Sequence, residues 1–282
     1  MALTKKYPRI TVVTPNYNQG DYIEETINSV LNQNYPNLEY IIIDGGSTDQ
    51  SLDIIKKYEK DLAYWNSEPD GGMYYAINKG FLKATGDIMC WINSDDILWE
   101  NSLFSVANIF SSNPNIHWLQ GRPTMIDKNN NVIVQKEYFF SKFYFYFLEY
   151  EKTFSFIQQE SSFWSKTLWD KAGGYLNTSF KISADFDLWL RFFELEKMYC
   201  TKEHLGAFRE REGQKSGDRK QYLNETKESL LLNFKKLSVF EKAMVKLMKL
   251  LSSINTLFQN KYLSKIFNKL IKIIIGKPKF VE

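Results

Sequence analysis

Over the first hundred positions, apolar residues come in short unbroken runs separated by polar stretches that carry Gly, Pro, Asn and Asp. The run 9–14, stopped by Pro15, predicts a buried strand. The β-branched run 38–43 predicts a second strand, 62–65 a short third and 87–91 a fourth. The segments between them have helix starts. Asp21 with Glu24 has capping-box spacing and predicts a helix through Leu31, and Ser47 with Gln50 predicts one reaching about Lys60. The turn Pro69-Asp70-Gly71-Gly72 precedes a predicted helix over Met73–Lys83. Strands alternating with helices predict a mainly parallel sheet with crossover helices, a Rossmann-like α/β fold. Ligands of such sheets bind beyond the carboxyl ends of the strands. Pro15, Asp44 and 93–96 all stand at such ends.

The middle of the chain is less regular. The stretches 116–121 and 130–135 predict strands around a Lys-Asn-Asn-Asn turn, and 161–165 predicts a strand. Lys166–Lys171 predicts a short helix, and Gly173-Gly174 a turn. Ser183 is positioned to cap a helix from about Asp185, with Phe186, Trp189, Leu190 and Phe193 on its apolar face. From Phe240, the residues Phe240, Met244, Leu247, Leu251, Ile254 and Phe258 recur at helical spacing, with Lys242, Lys246 and Lys249 on the other side. Leu263, Ile266, Phe267, Leu270, Ile271 and Ile274 repeat the theme with Lys265, Lys269 and Lys272. Two amphipathic helices follow, neither with an apolar run long enough to cross a bilayer. The expected organisation is a catalytic domain over 1–220 and a basic amphipathic helical extension over 221–282.

Charge sharpens that division. The 282 residues carry a formal net charge of +3, but residues 235–282 hold eleven lysines and two acids, so the remainder is net acidic. A Lys-rich amphipathic helix suits an anionic membrane surface, where each basic residue contributes about 1 kcal/mol. Packing on the catalytic body and a homo-oligomer interface are the competing readings. No nucleic-acid motif is present. The hydrophobic share of 44 % is enough for a packed core and argues against disorder. Two cysteines and two histidines give no zinc spacing and no disulfide framework. The early interruption at Pro8 and Arg9 excludes a signal-peptide pattern, so the expected location is cytoplasmic, peripheral on the cytoplasmic face of the membrane.

The candidate chemistry lies at the strand ends. Asp95 and Asp96 follow an apolar run directly. A hard cation such as Mg²⁺ or Mn²⁺ is held by one or two carboxylates plus substrate phosphates, which such a strand end could supply. The alternative is that the pair favours the dipole of a following helix. Asp44 occupies the equivalent place one unit earlier and could accept hydrogen bonds from a base or ribose. The segment 44–55 is not an EF-hand, because Ile55 replaces the required Glu. The dinucleotide, P-loop and nucleophile-elbow glycine patterns are missing, and two distant histidines disfavour a triad.

The segments "TVVTPNYNQGDYIEETINSVLNQNYPNLEYIIIDGGSTD", "SEPDGGMYYAINKGFLKATGDIMCWINSDD" and "SADFDLWLRF" together resemble family 2 glycosyltransferases over about residues 7–217. The resemblance implies a GT-A fold, a nucleotide-sugar donor, a divalent cation (Mn²⁺ or Mg²⁺) and inversion at the anomeric carbon. By position, it implies that Thr14, Pro15 and Tyr17 line a base pocket and that Asp44 contacts the nucleoside. Asp70 and Asn78-Lys79-Gly80 would border the donor. Asn93-Ser94-Asp95 occupies the D-x-D position, so Asp95 would hold the cation with Asp96 beside it. Asp185 matches the general base, with Asp187 a nearby competitor. The alternative for Asp185 is stabilisation of a helix N-terminus. Arg209, Arg211 and Lys215 lie where the family often has a basic loop over the donor phosphates, the alternative being a solvated loop. Two positions depart from the family pattern: Asn93 replaces the first acid, and Ala184 precedes Asp185 where a second acid is common.

The expected function is that of an inverting hexosyl- or N-acetylhexosaminyltransferase in polysaccharide biosynthesis. It would move sugar from a UDP-linked donor to a glycan or lipid-linked acceptor. Trp164 and the aromatic stretch 144–147 could stack on that acceptor or pack in the core. A nucleotidyltransferase would carry a basic Gly-rich loop after the first strand, which "TPNYNQGDY" lacks. A degenerate transferase that binds nucleotide sugar or glycan without turnover is the non-enzymatic alternative.

Overall fold

The computed structural model describes residues 7–135, 138, 140–146, 157–211, 214, 218–258, 269–270, 273–274 and 276–282, with the side chains of 144 and 251–258 left aside. Twelve strands are described: β1 (Ile10–Asn16), β2 (Leu38–Asp44), β3 (Tyr64–Ser67), β4 (Ile88–Trp91), β5 (Ile97–Leu98), β6 (Trp118–Gln120), β7 (Thr124–Ile126), β8 (Val132–Gln135), β9 (Ser162–Ser165), β10 (Tyr199–Cys200), β11 (Gly206–Arg209) and β12 (Lys279–Phe280). The described α-helices are α1 (Ile23–Leu31), α2 (Ser51–Lys57), α3 (Met73–Lys83), α4 (Ser102–Ser112), α5 (Lys142–Tyr146), α6 (Lys166–Lys171), α7 (Ala184–Leu195), α8 (Arg219–Phe234) and α9 (Val239–Phe258).

The main sheet runs β12-β10-β6-β9-β4-β1-β2-β3. Neighbours are parallel except where β9 pairs antiparallel with β4 and β6. This is the expected mixed, mainly parallel sheet flanked by helices. In register, Asn16 lies opposite Asp44 and Asp44 opposite Ser67, so three carboxyl ends form one rim. A smaller sheet, β5-β11-β7-β8, stands beside it, with β11 parallel to β7 and antiparallel to β5.

The β-branched runs fill β1 and β2, which are buried almost throughout because helices cover both faces. Helix α3 crosses them at Gly80, where a Cβ would come within 2.5 Å of a Val13 methyl, so only glycine allows this approach. Behind β4 and β9, Trp91, Trp118, Trp164 and Trp189 form one buried aromatic cluster, with Trp91 stacked on Trp189 and Trp118 on Trp189. Trp164 is therefore a core residue and not a platform for an acceptor sugar. Of the 144–147 stretch, Phe145 and Tyr146 are buried, while Phe147 and the Tyr144 side chain lie outside what is described.

Several expected local devices are built differently. Asp21 does not cap α1, whose N-cap is Tyr22 without a side-chain bond; Asp21 accepts from Gln50 Nε2 and Glu24 pairs with Lys57. Ser47 does not cap α2 either: its hydroxyl donates to Asp44, and the helix begins at Ser51 and ends at Lys57. The polar turn at 127–131 joins β7 to β8, not β6 to β8. Ser183 is the N-cap of α7, but its hydroxyl bonds Glu225 in place of the helix N–H groups.

The boundary expected at residue 220 falls inside α8. Helix α8 packs on α7 through Asp187, which accepts from Ser229 and Asn233, and β12 extends the main sheet beside β10. The first amphipathic helix is α9, but among its described side chains Val245 and Met248 are the buried ones, whereas Phe240 and Leu247 from the expected apolar face are exposed. The second lies mostly outside the described residues. No described helix is long and apolar enough to cross a membrane.

Candidate active site

The rim begins with Asp44. Its Oδ1 accepts from Asn16 Nδ2 (2.7 Å) and Ser47 Oγ (2.5 Å), and its Oδ2 from the N–H groups of Gly46 and Ser47 and from Ser67 Oγ (2.6 Å). Five donors on a carboxylate with about four lone-pair sites leave it fully engaged. Burial alone would make it a weaker acid, but these donors outweigh burial and hold its pKa below the ordinary value. Asp44 thus ties the ends of β1, β2 and β3 together. Beside it, Thr14 is buried against the Tyr40 hydroxyl, Pro15 is buried, and Tyr17 is 57 % exposed.

Asp70 stands exposed at the turn before α3, where it accepts from the Gly72 N–H and approaches Gly45. Lys79 pairs with Glu68. Asn78 is spent structurally: its amide exchanges two hydrogen bonds with the backbone of Leu176, fixing α3 to the segment that leads into α7.

The strand-end acids separate into different environments. Asp95 Oδ2 accepts from Arg211 Nε (2.8 Å) and lies 2.8 Å from Arg211 Nη2. Nη2 also donates to Gln19 Oε1 (2.8 Å), and the guanidinium lies over the Tyr22 ring. Gln214 closes the group by donating to the Arg209 carbonyl. Asp96, expected beside Asp95 as a metal ligand, is instead fully buried. Its Oδ1 takes the Arg209 N–H (2.9 Å) and its Oδ2 the Asn93 amide (3.0 Å). Burial pushes its pKa well up, and the nearby acids Asp95 and Glu160 add to the rise. Ser94 is buried as well. Asn93 Oδ1 is shielded from solvent without a hydrogen-bond donor. Among the described residues no group of three or more His, Cys, Asp or Glu side chains is placed to hold a metal ion.

Arg209, expected over donor phosphates, is also fully engaged within the protein. It is 1 % exposed and donates to the carbonyls of Asp95 (2.7 Å) and Asp127 (3.2 Å) and to Glu25 (2.7 Å). Pairing of β11 with β5 and β7 turns it inward. Lys215 lies outside the described residues.

Asp185 opens α7 on the other wall. Its Oδ1 is buried without a hydrogen-bond partner. Burial raises its pKa to about 6, against the backbone N–H groups of Phe186 and Asp185 and the Tyr74 hydroxyl, while the Glu225 carboxylate adds to the rise. Glu225, on α8, accepts the N–H groups of Lys181 and Ile182 (both 3.0 Å) and the Ser183 hydroxyl, which sets the start of α7. Asp187, the competitor two residues on, is committed to the interior, pairing with Arg191 (3.0 Å) and accepting from Ser229 (3.0 Å). A groove lies between residues 71–75, residues 180–182 and the Asp218–Gln221 edge; Tyr74 lines it and Asp185 does not.

Three contacts are made along these elements: Asp95 reaches Gln19 through Arg211, Asp70 stands beside Gly45, and Tyr74 in the first turn of α3 bonds Asp185. Gln19, Tyr22, Glu25, Tyr74 and Glu225 were not singled out from sequence. Tyr74, directly after the Gly-Gly turn, is the one that position could have flagged.

A mainly parallel sheet flanked by helices, with polar side chains gathered at its strand ends, defines a Rossmann-like α/β protein. Residues 11–170 match the profile of Glycosyl transferase family 2, more than half of the chain, and the chain belongs to that family. An uncharacterized glycosyltransferase of Rickettsia typhi is 28 % identical over 85 % of this chain and 76 % of its own length. The putative teichuronic acid biosynthesis glycosyltransferase TuaG of Bacillus subtilis is 40 % identical over 33 % of this chain and 38 % of its own. Residues 1–349 of S. aureus TarS, solved with UDP-GlcNAc, superpose with a TM-score of 0.68 at 19 % identity over 86 % of this chain and 71 % of theirs. That likeness gives the GT-A fold. The match covers 43 % of the longer TarS chain.

Proposed function

We propose that this glycosyltransferase moves a sugar from a UDP-linked donor to a hydroxyl of a glycan or lipid-linked saccharide, with inversion and by a single displacement. The observation that carries the mechanism is Asp185, a carboxylate with a pKa of about 6 and one oxygen without a partner, held against the Tyr74 hydroxyl. A general base works best with a pKa near the working pH. The acceptor oxygen would attack the anomeric carbon while the sugar–diphosphate bond breaks, and the acceptor proton would pass to Asp185. UDP is favoured because TarS is complexed with UDP-GlcNAc, and a polysaccharide acceptor because TuaG is named for teichuronic acid biosynthesis. A mannosyltransferase of Pyrobaculum calidifontis with the same general fold (TM-score 0.53) is complexed with GDP-Man and Mn²⁺.

In this reading Thr14, Pro15 and the exposed Tyr17 border the base. Asp44 holds that wall in shape and would have to release one of its five donors to touch the nucleoside. Asp70 and Lys79 would border the donor, and the groove lined by Tyr74, the partner of Asp185, would admit the acceptor. The residues present fit a divalent cation: Asp95 gives one carboxylate and Asn93 Oδ1 is a buried acceptor without a donor, enough for a hard ion that takes its other ligands from a diphosphate. When bound there it would offset the charge of the departing diphosphate. Arg211 would supply further positive charge from the same side.

The test is a panel of nucleotide sugars with and without Mn²⁺, read by thermal shift and then by NMR of the product's anomeric configuration. Stabilisation by UDP-sugars and an inverted product are expected. A retained configuration would remove the single displacement, and a preference for another base would remove the UDP assignment.

A further inference from the structure

We propose that the corner between α8 and α9 is a docking surface for an anionic lipid membrane. It goes beyond the transfer reaction and stands independently of it. Helix α9 has two unlike faces. Glu241, Val245 and Met248, at spacings of four and three, share one side. Val245 and Met248 are buried, and Glu241 pairs with Lys142 (2.6 Å), which also bonds Glu194. The other side carries Phe240, Leu247 and Leu250, all exposed, Phe240 by 71 %. Leu231 and Leu232 in the last turns of α8 and Val239 at the start of α9 are also exposed, and Lys242 Nζ donates to the Lys235 carbonyl, which brings the start of α9 against the end of α8.

The charges select the partner. Lys235, Lys236, Lys246 and Lys249 are exposed around these apolar side chains. The only acid between 235 and 250 is Glu241, and it is turned to the body in an ion pair. Large apolar side chains interleaved with lysines match the boundary between acyl chains and anionic headgroups. A second copy of the same face would set lysines against lysines about a twofold axis. Nucleic acid offers nothing for Phe240 and the leucines. The net acidic remainder of the chain would be repelled by the same surface, so docking would orient the body away from it.

The experiment is flotation of the full chain with phosphatidylcholine vesicles, with and without phosphatidylglycerol, at low and high salt. Binding that requires phosphatidylglycerol and is lost in high salt is expected. The pair Phe240→Glu with Leu247→Glu should lower the bound fraction about tenfold or more, and Lys235→Glu with Lys246→Glu should do the same. Both double variants should keep the parent melting temperature, because all four side chains are at the surface. Failure of the parent chain to float with anionic vesicles, or flotation of the variants like the parent, overturns the proposal. So does light scattering that finds a parent dimer split by Phe240→Glu with Leu247→Glu, since the face would then lie between copies.

Discussion

Arg211 directs both Nε and Nη2 at a single oxygen of Asp95, Oδ2, each at 2.8 Å. Side chains this far from solvent (16 % and 13 % exposed) make a firmer pair than a surface bridge. A cation arriving at Asp95 meets a guanidinium already bound to one of its two oxygens. Arg211→Ala should therefore bind Mn²⁺ more tightly without nucleotide, by about fivefold for a pair worth about 1 kcal/mol. Calorimetric titration reads this directly, and equal affinities in variant and parent would detach Asp95 from the cation.

Asp185→Asn should fold, bind donor and lose transfer by about 10²–10⁴-fold. In the parent, the rate should fall as pH drops through about 6, where the carboxylate takes up a proton. Stability should move the opposite way. The folded-state pKa lies above the ordinary 3.8, so ionising Asp185 destabilises the fold, not at all below about pH 4 and fully above about pH 6. The Asn variant should then be more stable than the parent at pH 7.5, by on the order of 2 kcal/mol after allowance for partial exposure, and equal to it near pH 4. Urea melts at the two pH values check the sign.

Asp187→Ala should behave in the reverse manner. It strands Arg191 in the interior and removes the acceptor for Ser229, so a loss of about 3–5 kcal/mol is expected. Turnover per folded molecule should stay near that of the parent. A variant with parent-like stability and no turnover would exchange the roles of the two aspartates.

Glu225→Gln tests control of Asp185 from α8. Removing the negative charge should lower the pKa of Asp185 and move the acid limb of the rate profile down by a few tenths of a pH unit. The pH profile separates this from simple loosening of α7, which would lower the rate at every pH.

Long, locally consistent segments were legible from sequence. The β-branched runs of β1 and β2, the Gly-Gly start of α3 and the Lys166–Lys171 segment of α6 stand where expected, except that β1 continues through Pro15 to Asn16. Strands β5, β10, β11 and β12 have two to four residues each and exist through pairing with distant partners, so no local pattern announces them. That is why Arg209 misled: only the placement of β11 reveals that its guanidinium turns inward. The same holds for Asp95 and Asp96. Adjacent in sequence, they are separated by which way the turn after β4 directs each side chain, and a hydrogen bond from a backbone N–H more than a hundred residues away holds the second one inside.

The five hydrogen bonds gathered by Asp44 have a bearing on selectivity. They make the wall beside Thr14 and Tyr17 stiff before any ligand arrives, so if a nucleobase docks there as proposed, one of the wrong outline would meet a surface that will not mould to it. Discrimination there would work by exclusion, and broadening the donor range would begin with slackening Ser47 or Ser67 and not with adding new contacts.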